Sequence, residues 1–367
     1  MPTTTTTPMT MPPRPTDMDP ISPRGAGQRG LGLALAIWLG LSMGGLCSVQ
    51  AMRAQVPTVP LHHVHVERAF TQAAHPQHPE RAPAQALEAV PAPPPVAVLP
   101  LPTDAAVPAA VCAPWLARWT VLQRPLCEQA QLAPSGAQSV QGRPIAWRDV
   151  APPAGAEAAQ RVLVVGAIHG DELTSAALAL HWVPLAQQAL AQGGRAVHWR
   201  FVPVLNPDGF LARPATRTNA SGVDLNRNFP TTDWEREAAL YWDQRTRRDP
   251  RRWPGPAPLS EPESQFLHAQ MQAFDPDLVV SIHAPYGVLD FDGPQTPPQK
   301  LGQLQLDRLG VFPGSLGNYG GLELDVPVVT IELHHALRMP VRAEIHAMWH
   351  DLLAWMDRHL PASPQAQ

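Results

Sequence analysis

An unbroken apolar run, Val162-Leu163-Val164-Val165, leads straight into Gly166-Ala167-Ile168-His169-Gly170-Asp171-Glu172. Four consecutive large aliphatic residues leave no polar face, so the run reads as a strand buried on both sides. Such strands belong to parallel or mixed sheets covered by helices. Leu173, Ala176, Ala177 and Leu180 then recur at helical spacing and predict a helix from about 172 to 191. A His and a Glu three apart therefore stand where a strand gives way to a helix. There they can close on one metal ion. Zn²⁺ accepts imidazole nitrogen and carboxylate oxygen and leaves a position open for water.

The same alternation continues along the chain. Residues 161–168 and 197–205 read as strands, and Glu261 to Phe274 as a helix with Ser260 as its N-cap and Pro262 in its first turn. Leu278-Val279-Val280-Ser281-Ile282 is a buried strand ending at His283, and Pro327-Val328-Val329-Thr330-Ile331 is another ending at Glu332. An amphipathic helix is expected from about 341 to 359. The pattern predicts one α/β domain over 111–362, with a mixed, mostly parallel central sheet flanked by helices. Ligands of such sheets bind outside the carboxyl ends of strands. His169, His283 and Glu332 all stand just past apolar strands.

The first 110 residues differ in kind. They hold 19 of the 45 prolines. Residues 1–51 carry Arg14, Arg24 and Arg29, an apolar run from Leu31 to Val49, and small residues in Val49-Gln50-Ala51. That order reads as a secretory signal, with an uncleaved membrane anchor as the alternative. Residues 52–110 are rich in Ala, Pro and Val and read as a polyproline-type linker. Its His62, His63, His65, His75 and His78 are the residues of a solvated linker, with loose metal capture as the alternative. Export to the periplasm, or anchoring that faces it, follows from this reading. Beyond the signal only Cys112 and Cys127 remain, an even number for an oxidising compartment, so a disulfide is expected. A net charge of −4 gives no basic footprint for nucleic acid.

Six ordered motifs over about 135–360 resemble the zinc carboxypeptidases of the carboxypeptidase A/B and E/D superfamily. They are His169-Gly170-Asp171-Glu172, Leu205-Asn206-Pro207-Asp208-Gly209-Phe210, Gly222-Val223-Asp224-Leu225-Asn226-Arg227-Asn228-Phe229-Pro230, Ser260-Glu261-Pro262-Glu263, Ser281-Ile282-His283 and Thr330-Ile331-Glu332-Leu333. Within that group, Leu289-Asp290-Phe291-Asp292-Gly293-Pro294 and Pro313-Gly314-Ser315-Leu316-Gly317 resemble bacterial murein peptide amidases.

The resemblance implies a peptide hydrolase with one Zn²⁺ held by His169, Glu172 and His283. It implies Glu332 as general base and Arg217, rather than Arg213, as the group that stabilises the oxyanion. Asn226 and Arg227 would grip the substrate's terminal carboxylate. Tyr319 stands in the region where the family has a substrate-capping Tyr, closer to Glu332 than usual. Glu323, Asp325 and Asp292 are acidic candidates for reading a cationic side chain. The implied substrate is a murein peptide cut between D-Glu and meso-diaminopimelate. N-acyl amino acid deacylation of the aspartoacylase or succinylglutamate desuccinylase type, and trimming of protein C-termini, are the alternatives. A two-His, one-carboxylate set also accepts other divalent metals.

Overall fold

The computed structural model describes residues 106–153 and 160–360. The proposed signal or anchor and nearly all of the Pro/Ala-rich segment, including its five His, lie outside the described residues. Among the described residues no helix is long and apolar enough to cross a membrane.

Helices α1 (Ala106–Arg118) and α2 (Arg124–Gln129) precede a hairpin of β1 (Ala133–Gln138) and β2 (Pro144–Val150). Strand β3 (Gln160–Val165) leads to α3 (Leu173–Ala191) and β4 (Val197–Val202). Helices α4 (Pro207–Leu211), α5 (Trp234–Leu240) and α6 (Pro262–Ala273) follow. Then come β5 (Leu278–His283), β6 (Val288–Asp292), the two-residue strands β7 (Lys300–Leu301) and β8 (Leu304–Gln305), β9 (Val328–Glu332) and α7 (Arg342–His359).

One mixed sheet has the order β1-β2-β4-β3-β5-β9-β6. Its four central strands, β4, β3, β5 and β9, are parallel neighbours; β2 and β6 flank them antiparallel. The apolar runs are continuous because both faces are covered. On β3, Val162 and Val164 join one core cluster while Leu163 and Val165 join the other. On β5, Leu278, Val280 and Ile282 face the first cluster and Val279 the second. The first face carries α3 and α7, where Trp349 packs on Trp182 and Trp199 with ring centroids 5.4 and 4.7 Å apart. The second carries α6 through Phe266, Leu267 and Met271. This strand alternation sets which loops can meet: the carboxyl ends of β3, β5 and β9 lie side by side, with His283 and Glu332 paired in register.

Two sequence expectations need correction. Residues 106–110 belong to the domain, not to the linker: they open α1, where Pro108 falls in the first turn and costs no helical hydrogen bond. Helix α6 has Glu261, not Ser260, at its N-cap position. The Ser260 hydroxyl instead donates to Glu261 Oε1 at 2.8 Å and accepts from Asn228 Nδ2 at 3.1 Å. It is thereby unavailable to the helix amides.

Cys112 on α1 and Cys127 on α2 are disulfide-bonded and fully buried, as expected. The bridge ties the two leading helices across a separation of 15 residues. Closing a loop of that length contributes about 3 kcal/mol by restricting the unfolded chain. Replacing both cysteines by Ala should lower the unfolding free energy obtained from urea titration by about that amount, with a lower midpoint. An unchanged midpoint would show that the bridge adds nothing.

Candidate metal centre and its cavity

The loop after β3 is stitched to the loop after β4. Leu205 N–H donates to the Gly166 carbonyl at 3.1 Å, Asn206 N–H to the Ala167 carbonyl at 3.0 Å, and Gly170 N–H to the Arg217 carbonyl at 3.4 Å. A Cβ at Gly170 would overlap the backbone of Gly209, so this close approach requires glycine. Ala167 takes a left-handed φ of 42°. Together these contacts fix where His169 points.

Glu172 occupies the N-cap position of α3 but makes no side-chain cap. Its carboxylate goes to the two imidazoles instead. Glu172 Oε1 lies 2.8 Å from His169 Nδ1, Oε2 lies 3.0 Å from His283 Nδ1, and the two Nδ1 atoms are 3.1 Å apart. Ala284 N–H also donates to Oε2 at 3.2 Å. All three residues are buried. Burial alone would raise the pKa of Glu172, but the His169 and His283 imidazoles hold it well below the usual carboxylate range.

This donor set fits zinc. Two atoms each 2.0–2.1 Å from a tetrahedral zinc are about 3.3 Å apart, close to the spacings seen here. Two imidazole nitrogens and a carboxylate are a usual zinc set, and among the described residues no other group of His, Cys, Asp or Glu converges in this way. The outer nitrogens are also held. His169 Nε2 lies 3.1 Å from Asp224 Oδ1, and His283 Nε2 lies 3.0 Å from Ser281 Oγ. Such outer partners fix ring orientation in metal sites.

Arg217 closes one side. Its Nε donates to Asp224 Oδ2 at 3.0 Å, and its Nη1 lies 3.2 Å from His169 Nδ1. Burial would lower its pKa; Asp224 and Glu172 raise it above its ordinary value, so the guanidinium stays charged. Arg213 is exposed and donates to the Ala117 carbonyl at 3.3 Å, away from this group. Glu332 ends β9 beside His283, is 6% exposed, and accepts a 3.5 Å hydrogen bond from Tyr286 N–H. Burial raises its pKa, and the negative charge of Glu172 adds to the rise, while His283 and His169 oppose it.

His169, His283, Arg217, Glu332, Asn226 and Arg227 all line one cavity of about 240 Å³. Asn226 follows Asp224, whose Oδ1 accepts its backbone N–H at 3.1 Å. Asn226 Oδ1 accepts from Leu316 N–H at 2.8 Å, which leaves the amide NH₂ for a ligand. Arg227 is 5% exposed and stacks over Phe312 at 4.5 Å. Its Nε is buried without a hydrogen-bond partner, and it forms no ion pair among the described residues. Burial lowers it to about 10; Asp224 pulls it back up and Arg217 pushes it further down. A buried cation with an unpaired donor is costly unless an anion arrives.

The structure does not bring Tyr319 to this cavity. It is buried, stacked on Phe229 at 5.8 Å, with its hydroxyl 2.7 Å from His268 Nδ1. The stretch before it is Gly- and Ser-rich, so the chain turns Tyr319 into the core under α6. Tyr286, 61% exposed, lines the cavity instead, three residues past His283. Glu323 accepts from Thr232 on the surface, and Asp325 is not among the lining residues. Asp292 is, together with Asp290, two positions earlier on β6. Asp290 is a residue that sequence reading missed, although the strand period of two places it on the same face as Asp292. Burial pushes Asp292 up to about 6, with the charge of Asp290 adding to it.

Asp224→Asn keeps the shape of the His169 partner but removes its charge. The variant should bind zinc roughly 10–100-fold more weakly in chelator competition, as outer-partner losses do. Unchanged affinity would remove Asp224 from the centre.

A family profile described as zinc carboxypeptidase matches residues 131–296. Murein peptide amidase A of Escherichia coli is 33% identical over 172 residues, 46% of this chain and 66% of that protein, so the chain spans just under two thirds of that relative. Murein peptide amidase A of Vibrio campbellii is 31% identical over 206 residues, 53% of this chain and 77% of that protein. The crystal structure of thrombin activatable fibrinolysis inhibitor is similar in fold, with a TM-score of 0.50 at 16% identity, covering 67% of this chain and 78% of that one. The matched segment carries His169, Glu172, Asn226, Arg227 and His283 in the order and places that the fold brings together, and the chain belongs to the zinc carboxypeptidase family.

Proposed function

We propose that this protein is a zinc-dependent peptidase that removes the C-terminal residue of a murein peptide, cutting the amide between the γ-carboxyl of D-Glu and meso-diaminopimelate. The observation that carries the reading is Arg227. A buried guanidinium without an anionic partner lines, with Asn226, the cavity that also takes in His169 and His283 of the His169–Glu172–His283 group. Such a pair suits a terminal carboxylate and makes the enzyme an exopeptidase. The two relatives named murein peptide amidase A support the choice of peptide.

His169, Glu172 and His283 would hold the metal. Bound zinc lowers the pKa of water and polarises the scissile carbonyl. Asn226 and Arg227 fix the C-terminal carboxylate and so set the scissile bond against Glu332. Glu332 takes a proton from the attacking water and gives it to the leaving nitrogen as the C–N bond breaks. Its raised pKa brings its proton affinity closer to neutral pH, which suits both halves of that task. Arg217, held rigid by Asp224, stabilises the negative charge that develops on the carbonyl oxygen. Asp290 and Asp292 receive the side-chain ammonium of the leaving residue. A carboxypeptidase for protein C-termini ending in Lys would use the same clamp and the same acidic pair, and it is the second reading. The Cys112–Cys127 bridge supports a location outside the cytoplasm, facing the periplasm.

Incubation with L-Ala-γ-D-Glu-meso-diaminopimelate should release free diaminopimelate, and a chelator should stop the release. No release by zinc-loaded protein would end the reading. Glu332→Gln should lose about 10²–10⁴-fold in kcat while keeping its zinc; unchanged turnover would remove Glu332 from the chemistry. Asp292 is ionised above about pH 6 and neutral below it. Its attraction for an ammonium is therefore present at pH 7.5 and lost at pH 5. Relative to a norleucine-ended peptide, kcat/KM for the diaminopimelate peptide should fall about tenfold over that range, the worth of one charged hydrogen bond. A constant ratio would place the ammonium elsewhere.

A further inference from the structure

The cavity carries one more guanidinium than C-terminal cleavage uses. Arg252 ends a single 3₁₀ turn, Pro250–Arg252, and lines the cavity together with Arg227. Asp249 caps that turn, accepting Arg251 N–H at 2.9 Å on its side chain and Arg252 N–H at 2.9 Å on its carbonyl. The next residues are pinned to the loop that bears the carboxylate clamp. Asp224 N–H donates to the Trp253 carbonyl at 2.8 Å, and Asn228 Nδ2 donates to the Pro254 and Ala257 carbonyls at 2.8 and 2.9 Å. Arg252 thus stands on a fixed lip.

Its guanidinium is poorly neutralised. The carboxylate it pairs with, Asp249, is 3.8 Å away, outside hydrogen-bond range, and the Arg252 side chain is 34% exposed. Its neighbour Arg251 differs: it donates to Asp171 at 2.8 Å. In the same cavity, Asp290 and Asp292 form no ion pair among the described residues, and the cation acting on them is the exposed Arg308. One cavity therefore presents two under-neutralised cations, Arg227 and Arg252, and an acidic pair of which Asp290 is buried and Asp292 half-buried.

A C-terminal residue with an apolar side chain would answer only Arg227. A C-terminal Lys would answer Arg227 and the acidic pair, and leave Arg252 beside Arg227 as a like charge. A residue with two carboxylates and one ammonium answers every group. We propose that Arg252 is a specificity-determining residue that binds the side-chain carboxylate of a C-terminal diamino-diacid, the carboxylate whose carbon also bears the ammonium received by Asp290 and Asp292. This rests on the peptidase reading above and refines it: the enzyme distinguishes meso-diaminopimelate from Lys by the carboxylate, not by the amine.

The test compares L-Ala-γ-D-Glu peptides ending in meso-diaminopimelate and in L-Lys, with the zinc-loaded full chain and its Arg252→Gln and Arg252→Lys variants. Wild type should favour the diaminopimelate peptide about tenfold or more in kcat/KM, as expected for a charge-assisted guanidinium–carboxylate contact. Arg252→Gln should lose that preference through a higher KM for the diaminopimelate peptide, with no loss in kcat/KM on the Lys peptide. Arg252→Lys should restore part of it. An equal loss on both peptides would show that Arg252 serves the shared terminal carboxylate or the lip itself, and would overturn the proposal. Equal cleavage of both by wild type would overturn it while leaving the peptidase reading intact. Cleavage of neither would bring down the peptidase reading, and this proposal with it.

Discussion

The rest of the site hangs on one carboxylate buried between two imidazoles. Glu172 is removed from water at the point where its own helix asks for a cap, and it gives its oxygens to His169 and His283 instead. An isolated buried carboxylate would cost several kcal/mol. Here the compensation is shared: His169 is held by Asp224, Asp224 by Arg217, and Arg217 leans back toward His169 and Glu172. The contacts of His169, Asp224 and Arg217 let the buried carboxylates of Glu172 and Asp224 stay ionised, both held well below the usual carboxylate range. A divalent cation held by His169, Glu172 and His283 would add the positive charge that the carboxylates favour. The sheet makes the arrangement possible, because adjacent parallel strands β3, β5 and β9 deliver their carboxyl ends to one edge.

The same cavity divides its electrostatics by region. In the proposed reading the metal donors and Glu332 form the reacting end, where burial raises the pKa of Glu332 and Asp224 fixes the Arg217 guanidinium. The rest of the lining carries the groups proposed for recognition: Asn226 and Arg227 for one carboxylate, Asp290 and Asp292 for an amine, and Arg252 for a second carboxylate. A group that must change protonation is placed where desolvation brings its pKa toward neutrality. Arg217 is kept charged by Asp224 and Glu172 beside it, whereas Arg227 is buried without an anionic partner and is left to wait for one.

Much of this was legible in the sequence, for a physical reason. Strands covered on both faces write themselves as runs of Val, Leu and Ile, so β3, β5 and β9 and the residues at their ends could be read directly. His169, Glu172, His283 and Glu332 are found through that grammar. Asn226 and Arg227 came from their motif, and the structure puts both in the cavity. Tyr319 failed because its surroundings are loop-like and small, with no period to say which way a side chain faces; stacking on Phe229 and the bond to His268 decide that. Asp290 was missed because sequence reading placed its segment by motif resemblance and not as a strand. Arg252 was missed because its place depends on Asp224 and Asn228 reaching across some 30 residues to pin a lip, which no local pattern encodes. Ser260 failed as a cap for a similar reason, since its hydroxyl is claimed by Asn228, distant in sequence.

The central claim is that His169, Glu172 and His283 form one metal centre. Zinc stoichiometry and affinity, measured by chelator competition on the purified chain and on Glu172→Ala, test it most directly. One zinc per chain is predicted. Its loss in the variant should exceed the roughly 10–100-fold typical of removing only an outer partner, with the fold retained by circular dichroism. Absence of stoichiometric zinc in the wild type, or equal affinity in the variant, would contradict the account.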